Sequence, residues 1–171
     1  MKKLLLLLMT LPAAALAQVQ WGQFDFEYEA DKPWVEIAAK LPAYPKSENL
    51  IEFNVSSATR NRHFVDANSI SVDRDDVVRY TVVIEAAGGA KNIAFEGMRC
   101  KTGEYRIYAY GHADGTWSKA RQSAWQGIKM RSLLSYHKAL FEDHLCPDGT
   151  TVRNAQDAVR SFRNLWQPAG Y

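Results

Sequence analysis

Three runs decide the fold: residues 77–86, VVRYTVVIEA; residues 91–100, KNIAFEGMRC; and residues 105–112, YRIYAYGH. In the first run Val78, Tyr80, Val82 and Ile84 fall on one side, and Val77, Arg79, Thr81 and Val83 on the other. That period of two is what a pleated strand imposes, and β-branched and aromatic residues fit its surface. Gly88-Gly89 supplies the positive φ angles of a tight connection, so the second run returns as a hairpin partner. There Ile93 and Phe95 oppose Ala94, Met98 and Cys100. Thr102-Gly103-Glu104 turns the chain again, and Tyr105, Ile107 and Ala109 then alternate with Arg106, Tyr108 and Tyr110. A third turn at Asp114-Gly115 leads to Trp117 and a short strand. The result is an antiparallel meander.

Upstream, Ile51, Phe53 and Val55 share one face of a strand over residues 50–55. His63 to Val65 and Ser69 to Val72 read as two short extended pieces, with Asp66-Ala67-Asn68 as a turn between them. From Gln18 to Pro45 the chain is mixed, with aromatic alternation at Phe24, Phe26 and Tyr28. Pro42 and Pro45 favour extended backbone there, so the segment is expected to drape over the sheet with Trp34 and Tyr44 as packing anchors. Past Trp125 the period changes to that of a helix. Leu133, Leu134, His137, Leu140, Phe141 and Leu145 form one stripe, with Ser132 as N-cap and Cys146-Pro147 as the stop. A second helix is expected from Ala155 to Trp166, capped by Asn154, with Ala158, Val159, Phe162, Leu165 and Trp166 on its apolar side. The fold class is therefore α+β: a meander of about five to seven strands packed with two C-terminal helices.

Lys2 and Lys3, the apolar run Leu4 to Leu11 and the small-residue end Ala15-Leu16-Ala17 read as a cleaved secretory signal. The expected organisation is a signal peptide over residues 1–17 and a single exported domain over residues 18–171. Two of the 21 Lys and Arg residues leave with the signal, so the rest balance the 19 Asp and Glu. A neutral exported protein gives no electrostatic reason to expect nucleic acid. No apolar run reaches the roughly 20 residues that stable membrane insertion needs.

Cys100 and Cys146 are the two cysteines, and in an oxidising compartment they read as one disulfide. Closing that loop is worth about 4 kcal/mol on the chain-entropy estimate. No CxxC spacing supports a redox or metal pair. His137 and His144 are two helical turns apart, about 10 Å, too far to chelate one ion unaided. GxSxG, GxGxxG and GxxxxGK[ST] patterns are absent, so no cofactor is expected. Glu96, Glu104, Asp114, Glu142 and Asp143 are the carboxylates from which a glycosidase-type pair would be drawn. Charged residues in a sheet are more often solvated.

The segments Leu41-Pro42-Ala43-Tyr44-Pro45, Phe64-Val65-Asp66, Val77-Val78-Arg79-Tyr80-Thr81, Glu96-Gly97-Met98-Arg99-Cys100 and Asp114-Gly115-Thr116-Trp117 occur in that order. Together they resemble a family of small exported β-proteobacterial proteins named after a cryptic neisserial protein. The resemblance spans about Trp34 to Ala158. It implies a Gram-negative envelope location and brings no reaction and no catalytic residues. Some members are thought of as lipoproteins, whereas this sequence has no Cys at the signal cut. The polar and aromatic residues within the recurring motifs, Arg79, Tyr80, Glu96, Arg99, Asp114 and Trp117, are the candidate ligand surface. The leading expectation is a soluble periplasmic, non-enzymatic binding or envelope-interaction module whose partner is an envelope protein or glycan. The alternative is an envelope-acting hydrolase with paired carboxylates.

Overall fold

The computed structural model describes residues 33–165. The expected signal peptide, its cleavage site and the aromatic alternation at Phe24, Phe26 and Tyr28 lie outside them. The described elements lie in one compact unit that begins at Trp34.

Strands β1 (Leu50–Phe53), β2 (Arg62–Val72), β3 (Val77–Glu85), β4 (Lys91–Arg99), β5 (Glu104–Gly111) and β6 (Trp117–Lys119) form one antiparallel sheet in chain order. A two-residue strand, β7 (Gln126–Gly127), pairs with the other half of β5. The hairpin across Gly88-Gly89 sets the central register, Glu85 opposite Lys91, Val82 opposite Ala94 and Tyr80 opposite Glu96. The Asp66-Ala67-Asn68 segment is a bulge within one continuous β2, not a turn between two pieces. Asp66 accepts the Asn68 N–H, and Ser69 Oγ accepts the Thr81 N–H, so local side chains satisfy the backbone where the ladder breaks.

A second bulge in β5 overrides the simple alternation there. Ala109 pairs with Phe95 and Ile107 with Glu96, leaving Tyr108 as the extra residue. The face reading of the last β5 residues is corrected accordingly: Tyr110 pairs with Ala94 and shares its side of the sheet. Tyr108 crosses Gly97, where a Cβ would sit 2.5 Å from the Tyr108 hydroxyl oxygen. Glycine at that position is what admits the ring.

Helix α1 (Tyr136–Ala139) starts later than the apolar stripe suggests. Ser135, not Ser132, is its N-cap, accepting the Lys138 N–H on its hydroxyl. Leu133 and Leu134 lie outside the helix and are exposed. The helix widens into a π-helical turn at Leu140–Leu145, closed by the Cys146 N–H donating to the Phe141 carbonyl. That turn buries Leu140, His144 and Leu145. Helix α2 (Ala155–Leu165) begins at Asn154, whose Oδ1 accepts the Asp157 N–H at 2.9 Å. It buries Ala158 and Phe162; the expected extension to Trp166 lies outside the described residues.

The main core lies between the sheet and these helices and contains Val65, Val78, Tyr80, Val82, Met98, Leu140, Leu145 and Phe162. Cys100 and Cys146 are bonded and buried within it, tying β4 to the end of the π-helical turn. Residues 34–46 have no regular secondary structure and form a strap on the other face, where Phe64, Val77, Val83 and Phe95 are buried.

Candidate functional site

β4 aims Glu96 at the helices because it stands opposite Tyr80 on the core face. Its side chain has no solvent exposure. Tyr80 donates its hydroxyl to Glu96 Oε2 at 3.1 Å, and Tyr136 donates to Oε1 at 2.7 Å. His137 Nε2 lies 3.0 Å from Oε2 and donates in the tautomer that carries its proton there. Tyr105 stacks on the His137 ring with centroids 3.5 Å apart. Burial first, and then the neighbouring Glu96, raise the Tyr80 and Tyr136 hydroxyls far above the usual phenol range. Both therefore remain donors. The expectation of solvated sheet charges is overturned for Glu96: two phenols and an imidazole take the place of water.

The opposite face holds a second buried group, Arg79. Its guanidinium donates to Asp75 Oδ2 at 2.6 Å, to Asp73 Oδ2 at 3.0 Å and to the Ile37 carbonyl at 2.7 Å. Asp75 in turn accepts the Ile37 N–H, and its carbonyl accepts the Trp34 indole N–H, both at 2.8 Å. Burial alone would raise the Asp75 carboxyl, but Arg79 and the Ile37 and Val77 amides outweigh it and hold the carboxyl below its usual range. Glu36 completes the clasp by accepting from Arg106, Tyr108 and Trp125. Arg99 lies over the Trp34 ring, 3.7 Å from its centroid. Trp34 and Tyr44 act as anchors, Tyr44 packing on Trp117 with centroids 5.6 Å apart.

A family model, that of the CNP1-like family, matches residues 29–163 and takes in every one of the five short motifs. The chain belongs to the CNP1-like family. No curated protein and no solved structure gives a significant match.

The six motif residues of this CNP1-like protein do not form one surface. Arg79, Tyr80 and Glu96 are buried, Arg79 on the strap face and the other two on the helix face. Arg99 is half-buried against Trp34 and pairs with Glu104 at 3.2 Å. Asp114 is exposed and caps its own turn by accepting the Thr116 N–H and hydroxyl. Trp117 is half-buried with its indole N–H unpartnered. The carboxylates proposed for a hydrolytic pair are dispersed: Glu104 pairs with Arg99, Asp114 with Thr116, and Glu142 with Lys138, with the exposed Asp143 beside Glu142. No cluster of three or more metal-ligating side chains occurs among the described residues.

The strand β5 carries an open surface that motif reading missed. A groove of about 270 Å³ is lined by Val82, Ile84, Ala94, Ile107, Tyr110 and Tyr136, with Glu96 at its floor. A wider depression of about 510 Å³ shares Ile107 and Tyr110 and is rimmed by Ser118, Lys119, Arg121, Gln122 and Gln126. Tyr110 is 45 % exposed and stands between the two. The sequence carried no signal for it: the Tyr108 bulge, which pairs Tyr110 with Ala94 and so puts it beside the apolar face, shows only in the pairing with β4.

Proposed function

We propose that this CNP1-like protein is an exported, non-enzymatic binding module of the Gram-negative envelope that holds a glycan against β5. The observation that carries the reading is the exposed Tyr110 ring, shared with Ile107 by two neighbouring hollows. An aromatic face suits the apolar side of a sugar ring, while the Gln122 and Gln126 amides and the Ser118 hydroxyl suit its hydroxyls. Lys119 and Arg121 add positive charge for a carboxylate-bearing sugar. The internal engagement of Glu96 and Arg79 supports a structural role for them and leaves recognition to β5.

The test is a titration of the mature protein with soluble peptidoglycan fragments, followed by mass spectrometry of the recovered fragments. Saturable binding, weakened about tenfold by Tyr110→Ala, with fragments recovered intact, is expected from the loss of an aromatic contact. Cleaved fragments would overturn the non-enzymatic reading, and binding indifferent to Tyr110→Ala would remove the β5 site. Export is tested separately by fractionation and N-terminal sequencing, with Gln18 expected first.

A further inference from the structure

Leu133 and Leu134 are 70 % and 59 % exposed, and the local structure holds them there. They are the two central residues of a turn closed by the Ser135 N–H donating to the Ser132 carbonyl. Ser135 is fixed as the N-cap of α1. On the other side the Ser132 N–H donates to the Lys129 carbonyl, and the Ile128 N–H to the Gly103 carbonyl, with Ile128 buried in the core. The leucines thus project from a loop anchored at both ends. Two adjacent large apolar side chains in such a position differ from the single exposed apolar residues that ordinary surfaces carry.

Along residues 127–141 the Lys and Arg side chains are matched by no acidic one. Lys129 and Arg131 are exposed in the preceding turn, and Lys101 is exposed in the turn that receives the Ile128 N–H. The nearest acidic residues along the chain are Asp114, upstream in the turn it caps at Thr116, and Glu142, which pairs with Lys138. An apolar tip that follows exposed cations in the chain is complementary to a lipid surface with anionic headgroups: the tip enters the acyl boundary and the cations meet the phosphates.

We propose that the Lys129–Ser135 loop docks the protein reversibly and peripherally on anionic phospholipid bilayers. It is distinct from the β5 surface and does not rest on the glycan reading. The mode is surface contact rather than spanning, in keeping with the absence, among the described residues, of any helix long and apolar enough to cross a membrane.

Flotation of the mature chain with phosphatidylcholine vesicles, with and without phosphatidylglycerol, tests it. Co-flotation is expected only with the anionic vesicles and is lost at high salt. Leu133→Ser with Leu134→Ser should weaken binding by at least about tenfold, since each leucine loses an apolar burial site. Lys129→Glu should weaken it by roughly fivefold or more. All these side chains are exposed, and an unchanged melting curve verifies that the variants fold. Equal flotation with neutral vesicles, none with anionic ones, or unaltered binding by the leucine variant would each overturn the proposal. So would sedimentation showing that the leucines instead pair two copies of the chain, with no vesicle binding.

Discussion

The two faces of the sheet each bury a potentially charged side chain, and they do so by opposite means. On the helix face Glu96 is met by two phenol hydroxyls and an imidazole, and two of these groups, Tyr136 and His137, come from an element about forty residues away. On the strap face Arg79 is met by carboxylates close by in the chain, Asp73 and Asp75, before the strap adds the Ile37 carbonyl. The first arrangement exists only once α1 has docked. The second is largely assembled by the β2–β3 turn and then serves as a hook for residues 34–37. The same sheet therefore has a face whose polar group depends on the global fold and a face whose polar group recruits a local segment.

The largest effect is expected from Glu96→Ala, which leaves two buried hydroxyls and an imidazole without their acceptor. Unsatisfied buried donors at about 1–3 kcal/mol each give a loss of about 4 kcal/mol after partial relaxation. A thermal melt should show one transition lowered by about 12 °C. Glu96→Gln keeps an acceptor oxygen and should recover most of it; equal losses for the two variants would show that charge, rather than acceptor geometry, is what the donors need.

Arg79→Met should cost about 3 kcal/mol, because Asp75 is left buried and without its cation. Its signature is local. Hydrogen exchange at Ile37 and the fluorescence of Trp34 and Trp125 should respond before the core does. Uniform exchange across the sheet would break the contrast between the faces.

The smallest effect appears only with pH. Burial pushes His144 down to about 4 from 6.5; its ring stacks on Phe162, and its Nδ1 has no partner. The unfolded chain takes up a proton at that imidazole below about 6.5, and the folded chain does not until about 4. Stability from this group therefore falls as pH drops from 6.5 to about 4 and levels off below, by at most about 3 kcal/mol. His63, lowered chiefly by burial, acts in the same sense, whereas Asp66, raised by burial, acts in the opposite one. The informative measurement is thus the difference between the parent and His144→Phe in urea titrations at several pH values. The variant should lose part of the slope in that window; parallel curves would show that His144 is accessible to water.

The meander was legible because its information is local: alternation names the strands, and Gly88-Gly89, Gly103 and Asp114-Gly115 name the turns. The Cys100–Cys146 bond was legible from the number of cysteines and the expectation that the chain is exported. The role of Glu96 was present in the sequence but needed one more step. Counting outward from the Glu85–Lys91 pair places Glu96 opposite Tyr80, in the middle of an apolar face, which calls for donors from whatever covers it. The start of α1 was not legible, because Ser132 and Ser135 are chemically equivalent caps. The π-helical turn also shifts the period that would separate Leu133 and Leu134 from the buried stripe. The Tyr108 bulge escaped for a related reason: one inserted residue reverses the sides of those after it, and only the partner strand reveals it.

In the sheet, spatial order equals chain order from β1 to β6. No strand there has to wait for a distant partner, so a chain emerging from its N-terminal end can close each hairpin as soon as the next strand appears. The loop-closure cost that slows sheets with crossed connections is small at every step. The last segment to emerge, with Tyr136, Cys146 and α2, then acts as a lock placed on a surface already laid down.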